Sequence, residues 1–258
     1  MNFLFSNLTW DLVTILSVLM IVTGLIVCAV LLSGQKASYG RYTEQSTLMV
    51  PATVSWVVQE GPSFFIPLYF LIYHTQNTYG ALLLALFLVH YANRTFIYPF
   101  KLRTKNGTPW YISLSAIAFC CWNGYIQGAW NSQFQPSYTE VTVPWFFLSL
   151  LGILIFFKGM HMNIQADNIL LNLREPGETG YKIPRGGMFE YVSGANYLGE
   201  IVEWTGYALA AQSLPAVAFA IFTICNIGPR AIHHHQWYLN KFKGEYPTER
   251  KALIPFIL

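Results

Sequence analysis

The sequence predicts an all-α integral membrane protein of seven transmembrane helices, and three observations predict it. Of its 258 residues, 54% are hydrophobic and 10% are charged, whereas a soluble domain carries about 25% charged residues. Seven apolar segments are long enough to cross a bilayer, which takes about 20 residues of helix. The basic residues alternate: they follow the odd-numbered segments and are missing from the connections after the even-numbered ones.

The first segment, 10–32, has no small-residue cleavage site and reads as a retained span. The second, 50–73, carries WVVQEGPSF, and the third, 80–100, carries HYANRTFIYP. The fourth and fifth are 110–130 and 144–162. The sixth and seventh, 195–211 and 213–235, are separated only by QSLP, where Gly206 and Pro215 favour a tight turn. Lys36 and Arg41 follow the first segment, and Lys101, Arg103 and Lys105 the third. Lys158, Arg174, Lys182 and Arg185 lie at and beyond the end of the fifth, and Arg230, Lys241, Lys243, Arg250 and Lys251 at and beyond the end of the seventh. Only Arg94 lies inside a span away from these ends. The positive-inside rule therefore puts the N-terminus outside and the C-terminus in the cytosol. The net charge of +3 is a topology signal and not a nucleic-acid footprint. The chain reads as one domain over 1–258, with no repeat and no soluble appendage.

The four cysteines, Cys28, Cys120, Cys121 and Cys225, sit in apolar runs with neither CxxC nor metal spacing, and read as small buried hydrophobes. The longest connection, LREPGETGYKIPRGGMFEYVSG, mixes Gly, Pro and charges. It reads as a binding loop or lid rather than a helix.

Polar residues inside the spans fall on helical faces. Asn196, Glu200 and Glu203 share one face of segment six. Asn163 and Asp167 share another at the end of segment five, which Arg174 would extend if the helix continued. Arg230, His234, Tyr238 and Lys241 line segment seven and its extension. His90, Tyr91, Arg94 and Tyr98 cluster on segment three. Glu60 stands in segment two with Trp56 and Ser63 on its side. Depth along the spans gives a cytosol-facing cavity with a polar mouth and Glu60 and Tyr91 at its floor. Ionisable groups in a membrane mark substrate, ion or proton paths. Consecutive helical residues diverge, so His233, His234 and His235 cannot share one metal ion. No GxGxxG, P-loop, HExxH or GxSxG is present, so a nucleotide would be held by side chains and helix ends.

These residues resemble a family. WVVQEGPSF, HYANRTFIYP, GMHMNIQADNIL, REPGETGYKIPRGGMFEYVSGANYLGEIVEW, RAIHHHQWY and RKALIPFIL are similar to the steroid 5α-reductases (3-oxo-5α-steroid 4-dehydrogenases), with the type 2 pattern nearest in these motifs. The resemblance runs from about residue 38 onward; the first span matches only in character. It implies a seven-helix NADPH-dependent reductase of the Δ4 double bond of 3-oxo-Δ4 steroids, with most cofactor ligands in about 110–258. It implies Glu60 and Tyr91 as the pair at the steroid 3-oxo oxygen, with Trp56 and Arg94 beside the substrate. Asn163, Asp167, Arg174, Tyr181, Asn196, Glu200, Arg230, His234 and Tyr238 are implied as NADPH ligands, with no metal. Lys182 stands where the type 2 pattern has Arg, so the charge stays but the bidentate fork goes. The steroid is expected to enter a monomer from the bilayer lipid, with no nucleic-acid partner. The host membrane would be the endoplasmic reticulum in a eukaryote or the inner membrane in a bacterium. The alternatives are another membrane double-bond reductase acting on sterols, polyprenols or enoyl thioesters, an isoprenylcysteine-type methyltransferase, or a proton-coupled transporter.

Overall fold

Seven long helices run between two common ends. The computed structural model describes residues 2–38, 40–43, 48–103, 107–135, 142–175, 178 and 180–258. The helices are α1 (Asn2–Leu32), α2 (Ala52–Tyr73), α3 (Thr78–Lys101), α4 (Trp110–Gln133), α5 (Val143–Leu171), α6 (Ala195–Ala211) and α7 (Leu214–Phe242). Lys105, Pro176, Gly177 and Thr179, and residues 136–141 of the 131–143 connection, lie outside the described residues.

Hydrogen bonds fix which helix ends meet. At one end, Gln76 N–H donates to Ser132 O, Tyr79 OH to Ala210 O, and Gln212 Nε2 to Trp145 O. The α2–α3 turn, the end of α4, the start of α5 and the α6–α7 turn therefore share that end. At the other end, strand β1 (Met49–Val50) pairs antiparallel with β2 (Thr108–Pro109), joining the starts of α2 and α4. Thr53 Oγ1 donates to Pro99 O, and Tyr42 OH to His233 O, which brings in the ends of α3, α1 and α7. The seven helices alternate in direction. The most extensive pairings are α5 with α6, α2 with α4, and α1 with α7.

Polarity is distributed inside out. Ile15, Ile26, Phe65, Ile72, Phe147 and Leu154 are exposed, while Gln59, His90, Asn123, Gln127, Asn131, Asn163, Asp167 and Glu203 are buried. This is the arrangement for an apolar solvent outside and a polar site inside. Among the described residues, four helices are long and apolar enough to cross a membrane: α1, α3, α5 and α7. The other three fall short for identifiable reasons. Helix α2 carries Gln59, Glu60 and two prolines, α4 carries four side-chain amides from Asn and Gln, and α6 has 17 residues.

Several boundaries differ from the sequence reading. Helix α5 runs on to Leu171, so Lys158 lies within it and not at its end, and Arg174 falls beyond it. Helix α7 likewise continues beyond 235 to Phe242 and takes in Tyr238 and Lys241. Gly206 is not part of the α6–α7 turn. It faces Phe156 of α5, and the turn is made by Gln212 in the left-handed region (φ 46°) with Pro215 in the first turn of α7.

Candidate active site

The site starts from the end of α3. After Ala92 the helix widens into one π-helical turn, Asn93–Ile97. Such a turn inserts a residue and re-aims the side chains after it. Tyr91 before the turn and Arg94 within it both reach the interior. The Arg94 guanidinium lies 4.5 Å over the Trp56 ring and 4.9 Å over Tyr98. Its Nη1 donates to Asp167 Oδ2 at 3.1 Å. Asn196 Nδ2 donates to the other carboxylate oxygen of Asp167 at 3.4 Å, and Asn163 Nδ2 donates to Asn196 O at 3.0 Å. Glu200 and Glu60 both couple electrostatically to Arg94. One guanidinium therefore pairs with Asp167 and lies within electrostatic reach of two further carboxyl groups in a buried setting, where losing the Asp167 partner leaves an uncompensated charge.

Glu60 lies near Cys120, whose Sγ is 3.9 Å from Oε2. Tyr91 couples to Glu60 and Cys120 and contacts Ser63. Asn123 Nδ2 lies 3.5 Å from Tyr91 OH. Aromatic rings enclose this floor: Phe87 is 4.7 Å and Trp204 6.0 Å from the Tyr91 ring.

A second group lies at the loop end. Arg41 is caged by rings, 4.2 Å from Trp237, 4.6 Å from Tyr238 and 5.3 Å from Tyr181, and it donates to Tyr238 OH at 3.2 Å. Its Nη1 is buried and has no hydrogen-bond partner among the described residues. His234 stacks edge-on with Tyr42 and Tyr197, and Arg230 lies 6.0 Å from the Tyr197 ring. Ala37, Tyr42, Arg230, His233 and His234 line a small concavity there.

The connection 172–194 is held by the last residues of the chain. Ser193 N–H donates to Lys251 O, Lys251 N–H to Tyr191 O, and Gly194 N–H to Ala252 O. Ser193 Oγ sits 2.6 Å from both His235 Nδ1 and Tyr246 OH. Buried Arg250 donates to Pro184 O at 2.9 Å and stands 3.6 Å from Glu190. The Gly186 N–H, then Arg250 and Arg185, hold the Glu190 carboxyl below its ordinary range. Lys182, at 2.6 Å, does the same for Glu178.

Of the residues singled out in the sequence, Trp56, Glu60, Tyr91, Arg94, Asn163, Asp167, Asn196 and Glu200 come together in one cluster. Tyr181, Arg230, His234 and Tyr238 gather in the second, joined to the first through Asn196 and its neighbour Tyr197. Arg174 is exposed at the edge of this second cluster, 6.0 Å from the Tyr181 ring and donating to Gly180 O. Three features escaped the sequence reading: the caging of Arg41, the pairing of His90 with Glu203, and the amide row Asn123, Gln127, Asn131 and Gln135. The last had a visible signal, a four-residue polar period inside an apolar segment.

Fold and site together define a helical, membrane-type protein with a buried cluster of acidic, basic and aromatic side chains. The family model described as 3-oxo-5-alpha-steroid 4-dehydrogenase matches residues 106–258. The chain is 51% identical over 229 residues to 3-oxo-5-alpha-steroid 4-dehydrogenase 1 of Mus musculus, covering 86% of this chain and 88% of that one. It is 48% identical over 238 residues to the human type 1 protein, covering 89% and 90%. To the Rattus norvegicus type 2 protein it is 46% identical over 238 residues, covering 88% and 91%. The chain belongs to the 3-oxo-5-alpha-steroid 4-dehydrogenase family, the steroid 5α-reductases. The motif likeness to type 2 is not matched over the whole chain, where identity to these type 1 relatives is higher. Membership sets aside the transporter and methyltransferase readings.

Proposed function

We propose that this protein uses NADPH to reduce the Δ4 double bond of 3-oxo-Δ4 steroids of the testosterone or progesterone kind, giving 5α-reduced 3-oxo steroids. The observation that carries the reading is the convergence of Glu60, Tyr91 and Arg94 from α2 and α3 with Asp167 and Glu200 from α5 and α6.

The residues present fit a nicotinamide dinucleotide. Arg41, with an orphaned buried Nη1, and Arg230 offer cations for phosphates. Tyr42, Tyr197 and Trp237 offer ring faces, and Asn163, Asp167, Asn196 and Glu200 offer amide and carboxylate partners for ribose and carboxamide. His234 and Tyr238 complete that wall, and Arg174 and Tyr181 flank its exposed edge. NADPH supplies the hydride when bound.

This chain's own residues handle charge and position. Reduction of a conjugated enone builds negative charge on the 3-oxo oxygen, and preorganised donors there lower the barrier. Tyr91 O–H is one donor, and Glu60 in its neutral form is a second. Arg94 is held by Asp167 and the Trp56 ring beside them and keeps the acidic groups from repelling one another. Trp56, Phe87 and Trp204 keep water from the reacting carbons. The steroid enters from the bilayer, the cofactor from the cytosolic end, and the working unit is a monomer with its N-terminus outside.

The test is NADPH oxidation by the purified protein with testosterone or progesterone, with the product identified by mass spectrometry. Glu60→Gln and Tyr91→Phe should each lower turnover at least about tenfold. Protein that binds NADPH yet leaves every 3-oxo-Δ4 steroid unchanged would overturn the substrate claim. Near-wild-type turnover in both variants would remove the pair from the site.

A further inference from the structure

We infer that Asn123 is a positioning residue for Tyr91, and that a one-way hydrogen-bond relay from the Pro215 carbonyl sets the direction of the Tyr91 hydroxyl. The inference rests on the reading of Tyr91 as the donor to the steroid oxygen.

The argument is one of polarity. A backbone carbonyl only accepts hydrogen bonds. Gln127 Nε2 donates to Pro215 O at 2.9 Å, which fixes the end of the Gln127 amide facing that carbonyl. The same Nε2 reaches Asn123 Oδ1 at 3.3 Å. An NH2 group on that side requires an oxygen opposite, so Asn123 turns Oδ1 to Gln127 and Nδ2 to Tyr91 OH, at 3.5 Å. Turning Gln127 over would set its oxygen against the Pro215 carbonyl, and its own Oε1 has no partner among the described residues. Asn123 and Gln127 are both fully buried, so water cannot reset the order.

The Tyr91 oxygen thus receives a hydrogen bond from Asn123, and its single proton is left for an acceptor on another side. Glu60 and Ser63 are the polar groups there, and Ser63 Oγ gives its own proton to Cys120 O. Donation into a phenol oxygen also strengthens the hydrogen bond that the phenol gives. The arrangement repeats about two turns further on, at the end of α4 and just past it. Gln135 Nε2 donates to Ala211 O at 3.2 Å and to Asn131 Oδ1 at 2.9 Å, and Asn131 Nδ2 donates to Tyr207 OH at 3.0 Å. In both copies a carbonyl near the α6–α7 turn is the root and a tyrosine oxygen the end.

Asn123→Asp keeps the shape and, assayed at a pH high enough to ionise the new carboxyl, replaces the donor with an acceptor that captures the Tyr91 proton. Asn123→Leu keeps the branched heavy-atom shape and removes the bond. A packing role ranks Asp as the milder change; the relay ranks it as the worse. We expect Asn123→Leu to lower kcat about tenfold, with KM for NADPH changed by less than about twofold, and Asn123→Asp to fall below it. In the Tyr91→Phe background, Asn123→Leu should have no further effect on kcat. This cycle decides the matter on its own where Asn123→Asp does not fold. An Asp variant at least as active as the Leu variant, or an Asn123→Leu effect equal in both backgrounds, overturns the relay alone. Wild-type turnover in Tyr91→Phe overturns the donor assignment and the relay with it.

Discussion

Glu203 shows what a single buried charge needs. A carboxylate at the centre of a membrane helix costs about 2.5–3.5 kcal/mol on insertion scales. Here its Oε1 meets His90 Nδ1 at 2.8 Å, with the His90 ring 4.5 Å from Trp204. Helical spacing already put Glu203 on the face of Asn196 and Glu200, but its partner lies 113 residues away on α3, and nothing in the sequence joins the two. The same holds for Arg94 and Asp167: each was legible as a polar group facing inward, while their pairing needed the fold. Removing one member of a buried pair leaves the other without its hydrogen bond, so Glu203→Ala should destabilise the protein by about 1–3 kcal/mol. Replacing both, with His90→Leu and Glu203→Met, should recover most of that. Thermal unfolding in detergent with NADPH held constant measures both. A double variant as unstable as the single would show that packing around the pair, and not the unpaired polar group, carries the loss.

Among elements, the α5–α6 seam and the clasp on the long connection matter most to the site. Gly152 and Gly159 of α5 face Ala210 and Glu203, and Gly199 and Gly206 of α6 face Asn163 and Phe156. A Cβ at Gly199 would overlap the Asn163 backbone, so the closeness of the two helices is what brings Asn163 to Asn196. Overpacking costs about 1–3 kcal/mol, and Gly199→Val should also raise KM for NADPH; an unchanged KM would free the seam from any role in the cofactor site. The seam is readable as glycines seven apart on both helices, but which glycines face each other is not. The clasp between Glu190, Gly186 and Arg250 is invisible in sequence because it joins the connection to the chain's last residues. Glu190 has a depressed carboxyl pKa in the folded protein. Its contribution is present above the unfolded value and is lost as pH falls through the lower folded one. The protection of the Val192–Gly194 amides, taken as exchange relative to the intrinsic rate at each pH, should therefore fall on acidification through and below about pH 4.3. Glu190→Gln should flatten that dependence, and an unaltered profile in this variant would assign it to other groups.

At the scale of the whole molecule, the sequence reading and the structure agree on an alternating helical bundle, and they part over how apolar each helix must be. Helices α2, α4 and α6 turn their polar residues inward, so composition alone ranks them below α1, α3, α5 and α7. The described arginines and lysines lie toward the end holding the starts of α2 and α4, apart from Lys158, Arg94 and Arg230 partway along helices. The α2–α3 turn at Gln76 lies at the opposite end. If charge sets orientation, Gln76 faces outside and Lys243 faces the cytosol. Both are exposed, which suits them to single-cysteine labelling after Cys28, Cys120, Cys121 and Cys225 are replaced by serine or alanine. In intact right-side-out membranes, a membrane-impermeant maleimide should label Gln76→Cys directly and Lys243→Cys only after permeabilisation. The reverse pattern would put the cofactor end outside, away from cytosolic NADPH, and would overturn the topology together with the proposed route of cofactor entry. Labelling of both positions without permeabilisation would break the alternation between them. Because the five helices α3 to α7 lie between these two positions, that single result would contradict an odd number of crossings there, whatever the hydropathy of each helix.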